Sequence, residues 1–213
     1  MSEEWEKIAM GSGDKIYVLV KKHSTGLFVQ KKYYLDGKLD CYDWSKKEDK
    51  KSLGRDVYYF TDLLMRLSED SDGSLANTIE MIFWKVFNSL DSDHELLTKF
   101  ISNFSYLRYH ERRFLEGVAF ATFSAKIKKY SSTYDTIGEG YVGLKEYDNA
   151  LIAFDMAVNL DEENKELDED HICNLIKVAI ETKNTISFER GLDLLKANFP
   201  ESGSIQEFND INL

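Results

Sequence analysis

The sequence predicts an α+β fold that is mostly α, with a small N-terminal antiparallel β-meander followed by antiparallel helical hairpins. Three observations carry this reading. Stretches rich in β-branched and aromatic residues crowd the first 44 positions. From residue 57 the apolar spacing changes to threes and fours, the period of a helix with one buried face. A single proline, Pro200, leaves the elements free to run long.

The elements follow in order. "SEEWEKIAM" reads as one short leading helix, and "GSGD" after it as a flexible joint. "DKIYVLVKK" and "GLFVQKKYYL" read as strands joined by the turn "HSTG". Asp36–Gly37 is a two-residue hairpin signal that leads into "KLDCYDW", which makes a three-stranded meander over 14–44. "SKKEDKKSLGRD" is a charged linker. Leu75, Ile79, Ile82, Phe83, Val86, Phe87 and Leu90 then mark one helix face. "DSDHELL" starts the next helix, with Asp91 or Asp93 as its cap. Leu96, Leu97, Phe100, Ile101 and Phe104 line that helix. Phe114, Leu115, Val118, Ala121 and Ala125 line the one after it. Links of a few residues force neighbouring helices to run antiparallel. The chain thus divides into a β region over 1–54, a helical region over 55–130 and acidic hairpins over 131–213.

Composition narrows the function classes. No run approaches the ~18 apolar residues of a membrane helix. The acidic start "MSEEWEK" lacks the basic, apolar pattern of a secretory signal. Cys41 and Cys173 lie far apart without a CxxC partner and read as free thiols in a reducing compartment, so the expected placement is the cytoplasm, its own cell's or another's. The net charge is −11. Residues 131–213 hold 18 Asp and Glu against 6 Lys and Arg, so the acidity belongs to the last third. Such a field repels nucleic acid and attracts basic surfaces, although acidic helices also simply stay soluble.

Tyr134, Ile137, Gly138, Tyr141, Tyr147, Ala150, Phe154 and Ala157 carry a spacing that resembles the tetratricopeptide repeat, with residues 131–164 as one good copy. Small Gly138 and Ala150 let two helices approach, while Tyr141, Phe154 and Ala157 fill the contact. Glu162 stands where the family favours proline. Residues from about 165 to 200 resemble a degenerate second copy, with Leu192, Leu195 and Pro200 at family-like places. The resemblance implies protein binding on the face of each first helix. It makes Ser132, Asp135, Glu139, Val142 and Gly143 outward positions. Family members that clamp a carboxylate use Lys, Arg and Asn there. Asp135 and Glu139 imply a basic or polar partner instead, or else plain solvated positions.

Other motifs are weaker. The run "DEENKELDED" offers Asp161, Glu162, Glu163, Asp168, Glu169 and Asp170 to a basic partner, or is a solvated turn and helix start. Asp70, Asp72 and Gly73 echo a calcium loop, but Ser68 and Ile79 fail at its first and twelfth places, so Ser74 reads better as a helix cap. His23, His94, His110 and His171 fall in different elements, and His171 and Cys173, two apart, face different sides of a helix. No catalytic or nucleotide-binding fingerprint occurs, and no metal or cofactor is expected. Lysines and aromatics on the meander suit single-stranded nucleic acid, against the overall charge, or a sheet edge that pairs with a partner strand. The expected function is a non-catalytic protein-interaction module for a basic or polar partner. One form is an inhibitor of the immunity or anti-defence kind and another is a peptide-binding adaptor. An enzyme with an unrecognised site is the remaining alternative.

Overall fold

The structure is a computed structural model that describes residues 6–9, 16–22, 28–35, 38–39, 59–67, 74–89 and 95–211. The chain forms two compact units, Met1–His110 and Glu111–Leu213.

In the first unit, strands β1 (Glu6–Ala9), β2 (Ile16–Lys22), β3 (Phe28–Leu35) and β4 (Lys38–Leu39) pair antiparallel in chain order. Helices follow: α1 (59–65), α2 (Ser74–Phe87), which lies against β3, and α3 (Glu95–His110). Phe83 is stacked on Phe104 with ring centroids 3.7 Å apart and planes 3° from parallel, and Phe60 stacks on Phe100 at 4.0 Å. Ile79, Trp84, Val86, Leu97, Ile101 and Leu107 close this core. Each side chain so buried contributes about 1.5–3 kcal/mol.

The expected α+β class is corrected by this architecture. Among the described residues from 59 onward there is no strand, and every residue that is buried there sits in a helical turn. The described part of the chain from residue 59 onward is therefore α. The expected three-stranded meander behind a short helix is also not what forms. Residues 6–9, read as helix, run as a strand in register with Tyr17–Val20, and at the start of "KLDCYDW" Lys38 and Leu39 pair with Leu35 and Tyr34. A stretch of four residues is too short to display a period, so backbone pairing with an available edge decides its conformation. Cys41, the linker and the calcium-like loop at Ser68–Gly73 lie outside the described residues, as do Leu90, Asp91 and Asp93.

The second unit is a succession of helices: α4 (Phe114–Ile127), α5 (Ser131–Gly143), α6 (Tyr147–Asn164), α7 (Glu169–Thr182), α8 (Thr185–Asn198) and α9 (Ser204–Asn209). Each packs on the next, and α5 also touches α7, an antiparallel stacking compatible with a helical repeat. Ala150, Phe154, Val158, Ile172, Leu175, Ile176, Ala179 and Leu195 form its main core. Leu115, expected on the inner face of α4, is 60% exposed, because Gly117, Val118 and Ala121 supply the inward side.

Helix α5 shows why packing, not propensity, holds this unit. Its sequence, SSTYDTIGEGYVG, carries three glycines and is a poor helix former on its own. Two of them stand where a neighbouring ring comes close. A Cβ added at Gly138 would lie 2.5 Å from Cε1 of Phe154, and one at Gly143 would run into the Phe114 ring. Gly138→Ala is therefore expected to overpack the α5–α6 contact and cost about 1–3 kcal/mol. Thermal melts check this; an unchanged melting temperature would mean that the two helices stand further apart.

The acidic end of α6 stops at Lys165 in the left-handed region (φ 59°), where Glu166 N–H donates to the Asp161 carbonyl at 3.0 Å. This local device ends the helix without the proline that a repeat of this kind favours at position 162.

Candidate functional site

Residues singled out from sequence fall into two groups, and α7 touches both. On α5, Ser132 and Val142 are exposed and Glu139 is half-buried. Asp135 is not outward: it is only 8% exposed and accepts a hydrogen bond from Asn174 Nδ2 of α7 at 2.9 Å. Burial pushes its carboxyl above the ordinary value, and the Asn174 hydrogen bond and the charge of His171 only partly oppose this.

At the α6–α7 turn the acidic run separates by role. Asp161 is buried at 3% exposure and holds His171 through an Oδ2–Nδ1 contact of 2.7 Å. Burial alone would lower the imidazole. The Asp161 hydrogen bond and the charges of Asp135, Asp161 and Asp168 outweigh burial and raise it. His171 and Asn174 stand three apart on one face of α7, so that face ties α7 to Asp161 on α6 and to Asp135 on α5. A carboxylate holding an imidazole is also the pairing a general base needs. Here the pair is buried between helices, and its immediate work is to join them. Among the described residues no group of three or more His, Cys, Asp or Glu is placed to hold a metal ion.

The other acids of the run are at the surface. Glu162, Glu163, Asp168 and Asp170 are exposed and Glu169 is half-buried. Asp168 caps α7 by accepting from Asp170 N–H at 2.9 Å, with Glu169 and Asp170 filling the first turn, where carboxylates complement the helix dipole. Ser202 donates to Glu169 Oε1 at 2.6 Å. Arg190 of α8 forks across α6, with Nη1 on Asp155 at 2.5 Å and Nη2 on Asn159 at 2.6 Å and on Glu162. This fork pins the side of α6 from which the acidic turn departs.

Sequence reasoning missed His171, Asn174 and Arg190 as organisers of this region. Their partners lie 10, 39 and 28–35 residues away, beyond any helical period. Cys173 faces a different way, into the core, where burial pushes its thiol up against a hydrogen bond from Ser204.

A cleft of about 630 Å³ opens beside the acidic turn, with Glu162, Glu166, Leu167, Leu194 and Phe199 in its lining. Lys165 belongs to the same lining, so two carboxylates and one ammonium share the cleft with these apolar side chains. No helix among the described residues is long and apolar enough to cross a membrane. Compared with known families and with curated proteins, the chain matches none.

Proposed function

We propose that this chain is a non-catalytic protein-interaction module whose tetratricopeptide-like hairpins hold a basic or polar protein partner. The observation that carries the reading is the arrangement of the α6–α7 turn. Glu162, Glu163, Asp168 and Asp170 are exposed together, on a turn fixed by the Asp168 cap and by the Arg190 fork. A negative surface held in place loses little conformational entropy on binding and steers a positive partner to it. Ser132, Glu139 and Val142 on α5 supply the neighbouring polar and apolar contacts. Asp135 and Asp161, engaged inside the unit, act on this surface by holding α5, α6 and α7 together rather than by touching a partner. An inhibitor of the immunity or anti-defence kind is the form favoured, since such an inhibitor blocks a basic effector by occupying its working face.

The test is capture of partners from the host's lysate at low and high salt, identified by mass spectrometry, followed by charge reversal. Glu139→Lys, Glu163→Lys and Asp170→Lys together are expected to weaken the captured partner at least about tenfold, with the helical circular dichroism unchanged. Affinity that survives all three reversals would place the interface elsewhere. Tight one-to-one capture would fit an inhibitor, and weak capture of short peptides would fit an adaptor.

A further inference from the structure

The second unit is acidic, yet one of its cavities is lined by cations alone among its charged residues. It lies at the α4–α5 corner, has a volume of about 440 Å³, and its lining includes Thr122, Lys126, Lys128, Lys129, Tyr134 and Ile137. No carboxylate belongs to that lining. These three lysines are a third of the 9 Lys and Arg between residues 57 and 130, gathered within four positions.

The cavity has two chemically distinct parts. Lys126, Lys128 and Lys129 are exposed and supply three ammonium groups. Lys128 is steered by the Tyr130 ring, with Nζ 4.8 Å from its centroid. Ala125, Ile127 and Ile137 supply an apolar wall, and Thr122 and Tyr134 complete the lining. Tyr134 belongs to the first turn of α5, a turn that contains no acidic residue and starts without a side-chain cap, so its dipole adds to the positive field. The volume falls in the range of pockets that enclose a small molecule or a single side chain.

We propose that this corner binds a phosphate monoester, the dianionic head among the three lysines and the ester group on the apolar wall. Lysine serves phosphate as a point charge, whereas a lone carboxylate is better met by the planar fork of arginine, which is absent from this lining. The apolar wall distinguishes an ester from free phosphate, which has nothing to lay against it. This site does not rest on the acidic turn: the two stand on different helices and take opposite charges.

The probes are inorganic phosphate, phenyl phosphate and a short phosphotyrosine peptide with neutral flanks, each titrated into the full chain and followed by amide NMR shifts. Shifts centred on residues 122–137, saturating more tightly with phenyl phosphate than with inorganic phosphate, are expected. Tighter binding of the peptide than of phenyl phosphate assigns the site to a phosphorylated side chain, and equal binding assigns it to a free small ester. Lys126→Gln with Lys129→Gln is expected to weaken phenyl phosphate by about tenfold or more while leaving the melting temperature unchanged, because both side chains are exposed. No shift at residues 122–137 with any probe would overturn the site. Equal affinity for phenyl and inorganic phosphate, or affinity unaffected by the two glutamines, would overturn the assignment to a monoester held by these lysines.

Discussion

Glu80→Ala is expected to destabilise the first unit by about 3–5 kcal/mol, the range for a buried ion pair that loses one member. Arg108 is fully buried in α3, its guanidinium 4.4 Å over the Phe104 ring, with Nη2 donating to Glu80 Oε1 of α2 at 3.0 Å. The same oxygen accepts from Trp84 Nε1 at 3.2 Å. Deleting the carboxylate takes a counter-charge from a guanidinium inside an aromatic core, and an acceptor from the indole. Glu80→Gln keeps an acceptor of the same shape and is expected to cost less. Replacing both members by apolar residues, as in Glu80→Leu with Arg108→Met, removes the charge with its partner and is expected to recover most of the loss. Urea unfolding followed by tryptophan fluorescence measures all three. A loss below about 1 kcal/mol for Glu80→Ala would be the value of an exposed pair and would mean that water reaches the guanidinium.

How much of this was legible in the sequence depends on the distance over which each contact is encoded. The inner faces of α2 and α3 were readable because Ile79, Phe83 and Val86, or Leu97, Phe100, Ile101 and Phe104, recur at helical spacing, and all of these are buried. The Gly138–Phe154 contact was legible for a related reason: a residue without a side chain opposite a large ring leaves a size pattern inside one hairpin. Leu115 misled, since an apolar residue on a short helix does not say whether the inward side is already filled by smaller ones. Residues 6–9 misled because a four-residue stretch shows no period, and its conformation follows from pairing with β2. Within the candidate site, the acidity of 161–170 was plain, but which acids are solvated was not. Asp161 and Glu162 are neighbours in sequence; one is buried on His171 and the other is exposed on Arg190. Only the fold brings those two partners to Asp161 and Glu162 of α6. Asp135 was placed outward by its position in a repeat, and the arrival of Asn174 from α7 reverses that.

The same cluster predicts a stability that falls as pH rises. His171 has a folded value raised above the ordinary 6.5 of a histidine. Its contribution is therefore fully present below about pH 6.5, and it is lost as pH climbs through the raised folded value. Asp135 is raised above 3.8. A carboxyl raised in the folded state costs stability as it ionises, so it too lowers stability with rising pH, in a window that begins near pH 4. Both slopes have the same sign, opposite to that of a carboxylate stabilised by an ion pair. Asp161→Ala removes the partner of an imidazole that is charged below its raised folded value. It is expected to cost about 1.5–3 kcal/mol at pH 6, the range for a hydrogen bond to a charged group, which for a unit of this size lowers the melting temperature by roughly 6 °C or more. At a pH above the folded value of His171 the ring is neutral, and the loss is expected to shrink toward that of one ordinary hydrogen bond, about 1 kcal/mol. His171→Gln should flatten the upper part of the wild-type profile; Asp135→Asn should flatten the lower part and, by removing one of the charges that raise His171, move the upper part to lower pH. Melting temperatures collected from pH 4 to 9 for these chains separate the cases. If wild type and Asp161→Ala ran parallel across that whole range, the His171–Asp161 contact would not be charged, and the tie between α6 and α7 would rest on packing alone.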